Sequence, residues 1–183
     1  MTYFSSEYEC KLDAKGRMML PARIKSALPE DSEAEEVKVT IRRGFEPCLT
    51  IYPQQEWDKI FQRVVGLDEF NREQRNFQRT FLRGCTEVEL DKTGRFLIPK
   101  TMLRYANIDK DAILVGMGNR IEIWNPETYE EFLIQDEEEF SEMAEKYLSG
   151  PSVSKEQSGV VVNINRAEVN ENLDNKITGE QSS

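Results

Sequence analysis

Apolar and polar residues alternate in short runs along this chain, and the runs come twice in the same order. In ECKLD (9–13), Cys10 and Leu12 share one face while Glu9, Lys11 and Asp13 share the other, the period-two pattern of a half-buried strand. After a glycine turn, RMML (17–20) predicts Met18 and Leu20 inward, which leaves Met19 outward beside Arg17. VKVTI (37–41) and AILVG (112–116) also read as strands. CLTIYPQQEWDKIF (48–61) and RIEIWNPETYEEFL (120–133) each run from a short alternating strand through an aromatic and a proline into an amphipathic helix. Trp57, Ile60, Phe61 and Val64 mark one apolar helical stripe; Tyr129, Phe132, Leu133 and Phe140 mark another. Asn125 ahead of Pro126 suits an N-cap followed by the first helical position.

The two series are copies. KLDAKGRMMLP (11–21) and ELDKTGRFLIP (89–99) share L-D-x-x-G-R-x-x-aliphatic-P, so that Leu12, Asp13, Gly16, Arg17, Leu20 and Pro21 stand against Leu90, Asp91, Gly94, Arg95, Ile98 and Pro99. Each copy reads strand, turn, strand, short helix, strand, strand, helix, an α+β pattern. Gly16 and Gly94 are expected to supply a left-handed turn position, Asp13 and Asp91 to accept backbone N–H groups, and Pro21 and Pro99 to open a helical turn. Met19 recurs as Leu97, an outward apolar residue beside an arginine in both copies; either it contacts something, most simply another subunit, or a tightly coiled strand in a small barrel has no clean outside. The first half is expected over 1–80 with a connecting helix, the second over 81–148, and a polar tail over 149–183 that reads as disordered, with GVVVNIN (159–165) as a candidate strand or docking peptide.

Charge changes the picture only when it is located. The chain carries −10, but residues 130–145 hold eight acids and no base, so the remainder is close to neutral. Charges beyond about one Debye length, ~8 Å in physiological salt, are screened, and a net negative chain is compatible with a local anion-binding patch. Histidine is absent, which removes the commonest general base and metal ligand. The three cysteines lie far apart, with no spacing that suggests zinc or a disulfide framework. No nucleophile motif or cofactor fingerprint stands out, and GMGN (116–119) reads as a turn. The sequence therefore predicts no enzyme, no cofactor and no small-molecule substrate. No run is long and apolar enough for a membrane span and no signal peptide is evident, so no membrane partner and a cytoplasmic location are expected.

Two readings stand for Asp13-x-x-x-Arg17 and Asp91-x-x-x-Arg95. In one, aspartate anchors the turn and pairs with arginine. In the other, aspartate aims a guanidinium at a phosphate or a guanine edge, where bidentate bonding is available. Lys11, Lys15, Arg17, Arg23 and Lys25 make the first hairpin the more basic by sequence, while the second has Lys92, Arg95 and Lys100 beside Glu87, Glu89 and Asp91. FNREQRNFQRTFLR (70–83) would align Arg72, Arg75, Arg79 and Arg83 on a helix, with Phe70, Phe77 and Phe81 beside them. That helix is read as facing phosphate or, preferentially, as facing the acidic 130–145 helix of a neighbour.

The doubled motif, its spacing and the aromatic–proline helix entries resemble the MraZ family, relatives of the AbrB-type swapped-hairpin proteins, over about residues 1–147. The resemblance implies a tandem pseudo-duplicated swapped-hairpin β-barrel with peripheral helices. It implies a bacterial, nucleoid-associated regulator of the division and cell wall gene cluster, which binds double-stranded DNA at promoter direct repeats upstream of its own operon as a ring-shaped homo-oligomer. The family's motif falls on Asp13, Arg17, Asp91 and Arg95; Lys11, Lys15, Lys92 and Lys100 beside them are helpers by local charge only. The competing expectation is an oligomeric protein-interaction scaffold without specific DNA binding.

Overall fold

The computed structural model describes residues 4–28 and 37–149; the acidic loop 29–36 and the tail from 150 on, with its GVVVNIN segment, lie outside the described residues. The chain divides after Ile134 into two units. The first holds all the strands among the described residues. The first copy gives β1 (Glu7–Lys11), β2 (Arg17–Met19), α1 (Ala22–Ala27), β3 (Lys38–Arg43), β4 (Leu49–Pro53), α2 (Gln54–Val65) and α3 (Arg72–Leu82). The second gives β5 (Thr86–Glu89), β6 (Arg95–Leu97), α4 (Lys100–Tyr105), β7 (Asp111–Gly116), β8 (Ile121–Trp124) and α5 (Pro126–Phe132). The second unit contains α6 (Glu137–Leu148).

The two copies do not fold side by side. Six strands form one antiparallel sheet in the order β1-β7-β8-β4-β3-β5, and β2 pairs with β6 in a separate two-stranded ribbon. Replacing every strand by its repeat equivalent merely reverses that order, so the copies are related by a pseudo-two-fold. Each first strand is handed to the other copy: β1 pairs with β7, Tyr8 opposite Leu114, and β5 pairs with β3, Val88 opposite Val39. The middle contact is β4 against β8, Leu49 opposite Ile123. β1 and β5 end the sheet, and no strand pairing among the described residues closes it into a barrel.

The core is shared for the same reason. Met18, Leu20, Ile41 and Ile51 from the first copy join Phe96, Ile98, Leu114 and Ile123 from the second in one buried cluster. Complete burial of such side chains is worth roughly 1.5–3 kcal/mol each. Neither copy can withdraw its share without exposing the other's.

Local chemistry sets the elements as expected in most places. Gly16 and Gly94 take φ of +79° and +84°. Asn125 Oδ1 accepts the Thr128 N–H at 3.0 Å to cap α5. The aromatic–proline entries bury Tyr52 ahead of α2 and Trp124 ahead of α5. Two expectations need correction. The stripe from Tyr129 to Phe140 is not one helix, because α5 stops at Phe132 and Asp136 caps a new helix by accepting the Glu139 N–H at 2.8 Å. The acidic run 130–145 is thus divided between α5 and α6. Phe70 does not join the α3 stripe either. Asn71 caps α3 after it, accepting the N–H groups of Glu73 and Gln74, and leaves Phe70 86% exposed.

Candidate nucleic-acid interface

Each hairpin turn is built on one aspartate. Asp13 Oδ1 accepts the backbone N–H groups of Lys15 and Arg17, both at 2.9 Å, while Oδ2 accepts the Arg17 Nε–H at 2.7 Å. Asp91 repeats this with the N–H groups of Thr93 and Arg95 at 2.9 Å and Arg95 Nε at 2.9 Å, and adds the Thr93 hydroxyl at 2.6 Å. Turn chemistry and guanidinium orientation are therefore one device. Its consequence lies on the far side of the arginine: the bond at Nε fixes the plane and leaves both Nη groups of Arg17 and Arg95 without a partner among the described residues. Those groups can offer paired donors to a planar acceptor edge or a phosphate.

Both carboxyls are held below the usual carboxylate range. The backbone N–H of Arg17 does most for Asp13, aided by the Arg17 guanidinium and the Lys15 N–H. The Thr93 hydroxyl does most for Asp91, followed by the Arg95 N–H, and its displacement is the larger. The pairs stay ionised at neutral pH. Exposed pairs of this kind add little to stability, so their weight is in orientation.

The swapped pairing brings the two arginines onto one ribbon. β2 and β6 run antiparallel with Arg17 opposite Leu97, Met18 opposite Phe96 and Met19 opposite Arg95. Beyond the ribbon each turn glycine receives the other hairpin: Leu20 N–H donates to Gly94 O at 2.9 Å and Ile98 N–H to Gly16 O at 3.1 Å. Alternation sends Met18 and Phe96 into the core and leaves Arg17, Met19, Arg95 and Leu97 on the outer face. The outward setting of Met19 and Leu97 agrees with the sequence pattern: they are 55% and 56% exposed.

The surrounding charges are distributed differently from their order in the sequence. Lys25 of the first copy lies over the second turn, where its Nζ donates to Lys92 O at 2.8 Å. Lys11 is directed to Asp111 of the second copy at 3.7 Å. Glu87 and Glu89 are both met by Lys38, at 3.2 and 3.5 Å. Lys15, Lys92 and Lys100 are exposed near their turns. The premise that the first hairpin is the more basic counted Lys11 and Lys25 with it and left Glu87 and Glu89 unopposed on the second. Exchange of strands between copies moves all four.

The arginine row on α3 forms only in part. Arg72 and Arg79 are exposed on the helix, Arg75 turns back and its Nη1 donates to Glu69 O at 2.6 Å, and Arg83, also exposed, lies past the helix end in extended backbone. Phe81 faces the body, stacked 6.4 Å from Trp57 and 4.0 Å under the guanidinium of the buried Arg42. That cation–aromatic arrangement was not apparent in the sequence, where Arg42 is one of two adjacent basic residues in a strand.

Other chemistry is sparse. Burial pushes the Cys48 thiol up to about 12 and the Cys85 thiol up to about 11, so neither is a nucleophile at neutral pH. No group of three or more acidic, cysteine or histidine residues suited to a metal comes together among the described residues. No helix there is long and apolar enough to cross a membrane.

Comparison with known proteins yields two findings. A family model described as "MraZ protein, putative antitoxin-like" matches twice, over residues 3–80 and 81–149. The chain is also 57% identical over 149 residues to a protein of Cytophaga hutchinsonii named Transcriptional regulator MraZ, an alignment covering 81% of this chain and 97% of that protein.

Proposed function

Because the chain belongs to the MraZ family, whose model matches both of its halves, we propose that it is a sequence-specific DNA-binding transcriptional regulator acting through its two Asp–Arg hairpins. The observation that carries this reading is the β2–β6 ribbon, on which two guanidiniums, each fixed at Nε by its own aspartate, share one outer face. The relative's name, Transcriptional regulator MraZ, supports the same role.

In this reading Arg17 and Arg95 contact base edges or phosphates, Asp13 and Asp91 orient them, and Lys15 and Lys92 add phosphate attraction. Lys11 contributes mainly through the shared field, since it faces Asp111. The interleaved strand pairing supports treating the two halves as a swapped-hairpin pair within one chain. Resemblance to the family adds the rest of the proposal: a ring-shaped homo-oligomer on direct repeats upstream of its own operon, in the division and cell wall gene cluster, in the cytoplasm at the nucleoid. A ring gains over a single contact set by effective concentration, often 10²–10⁴-fold.

The test is fluorescence anisotropy against DNA from upstream of its own gene and against scrambled DNA, at two salt concentrations. Repeat-dependent binding that weakens steeply with salt, and is lost in Arg17→Ala with Arg95→Ala, is the expected result. Equal affinity for scrambled DNA would favour the second reading, an oligomeric interaction scaffold. The exposed apolar residues of α6, Phe140, Tyr147 and Leu148, give that alternative its footing.

A further inference from the structure

The face that carries the two arginines also carries two large apolar side chains, and a simple phosphate clamp has no use for them. We propose that Met19 and Leu97 are base-reading residues, seated on thymine C5-methyl groups in the major groove between the bases contacted by Arg17 and Arg95. The proposal rests on the DNA-binding reading above and names what that site recognises.

Register places the four side chains in a checkerboard. Arg17 has Leu97 across from it and Arg95 has Met19, so each guanidinium is flanked by an apolar group on the neighbouring strand. Each of the two is more than half exposed, although the core residues beside them, Met18 and Phe96, are 0% and 2% exposed. The major groove presents a matching surface: guanine offers two acceptors to a guanidinium, and thymine offers a methyl group. A two-stranded ribbon fits in that groove. Arg17 and Met19 lie two residues apart on one strand, about 7 Å at the usual rise. Base pairs about two steps apart are separated by a similar distance along the duplex.

Charge decides between DNA and the same face of a second copy as the occupant. Lys15, Lys92 and Lys100 are exposed near the ribbon, and the Lys25 ammonium reaches the second turn. The acids of the turns, Asp13 and Asp91, are each paired with their own arginine. A like face would be repelled, whereas a polyanion is attracted.

The experiment uses a duplex selected from a random pool by the wild-type full chain. Each thymine is then replaced in turn by deoxyuridine, which lacks only the methyl group. Affinities are compared for the wild type and for Met19→Ala with Leu97→Ala. Burial of one methyl-sized group corresponds to about fourfold in affinity. We expect deoxyuridine at one or two positions to cost the wild type about that factor each. The double variant should lose the product of those factors on the thymine duplex and be indifferent to the replacement. Its circular dichroism and its size in solution should match the wild type. A deoxyuridine penalty equal in both proteins would overturn the proposal, since the methyl would then act through DNA shape. So would the absence of any penalty, or a double variant of altered oligomeric size, which would assign the two residues to assembly. Failure of the selection to yield any preferred sequence would overturn the DNA-binding reading itself.

Discussion

Hairpins 11–21 and 89–99 carry the same turn with different neighbours. In the first, the third turn position is Lys15, exposed, and Asp13 is held by backbone and by Arg17. In the second that position is Thr93, whose hydroxyl closes onto Asp91 at 2.6 Å, and the lysine moves one place earlier to Lys92. The first turn approaches apolar Leu103, and the second is covered by Lys25. Each hairpin is thus completed by a helix of the other copy, and the difference between them lies as much in those helices as in the hairpins. Sequence identity within a motif does not establish equality of its two sites.

That comparison can be tested in descending order of effect. Under the ribbon, Phe96→Ala should cost about 3–5 kcal/mol and Met18→Ala about 2–5, read from urea unfolding, because each leaves a cavity against the other. Both transitions should stay single, since the core is common to the two copies; a variant that melts one half alone would contradict the shared core. Next are the arginines. Loss of a bidentate contact is worth about 1–3 kcal/mol, so Arg17→Ala and Arg95→Ala should each weaken specific DNA binding about 5- to 150-fold. With the charges levelled by Lys25, Lys38 and Asp111, the two losses should be similar. A far greater loss at Arg17 would show that the basic sequence around it outweighs the tertiary arrangement.

Glycine substitutions probe the turns. Gly16→Ala and Gly94→Ala both force a left-handed residue, at about 1–2 kcal/mol. Gly94→Ala should cost slightly more, because its Cβ would stand 2.9 Å from Lys25 Cδ and push aside the side chain that bonds Lys92 O, whereas at Gly16 the nearest atom, Leu103 Cδ1, is an ordinary 3.5 Å away. Thermal unfolding of the two variants checks the order. Lys25→Met should reduce the slope of log affinity against log salt by about 0.9 if its ammonium neutralises one phosphate.

The smallest effect is in the carboxyls. Asp91 should titrate below Asp13 in a side-chain NMR titration, and Thr93→Val should move Asp91 up toward Asp13. Both carboxyls are depressed in the folded chain. Their stabilisation is therefore complete above the ordinary carboxylate value and is lost as pH falls through the folded value. Thr93→Val should hold a smaller share of it and finish losing that share at a higher pH than the wild type, the onset being set by the unfolded carboxyl in both. Equal titration of the two aspartates would remove the hydroxyl from the account.

Much of this was legible in the residues because its causes are local. A glycine tolerates positive φ, a short carboxylate reaches N–H groups two and four residues on, and a strand alternates. From these follow the turns at Gly16 and Gly94, the Asp–Arg geometry, the burial of Met18 and the exposure of Met19 and Leu97. The break between α5 and α6 escaped because the apolar spacing from Tyr129 to Phe140 continues across it, while the Asp136 cap gives only a weak signal within an acidic run.

What the sequence determined by itself is the pair of hairpins and the side of each strand on which every residue stands, since these depend on contacts within a few positions. Only the tertiary structure decided which hairpin meets which. The pairing of β2 with β6, the gift of β1 to β7 and β5 to β3, and the resting places of Lys11, Lys25 and Lys38 are long-range choices between two nearly equivalent copies. A repeat gives each strand two partners of similar local pattern. Burial of one common core selects the exchanged arrangement, which sets Arg17 and Arg95 on a single face.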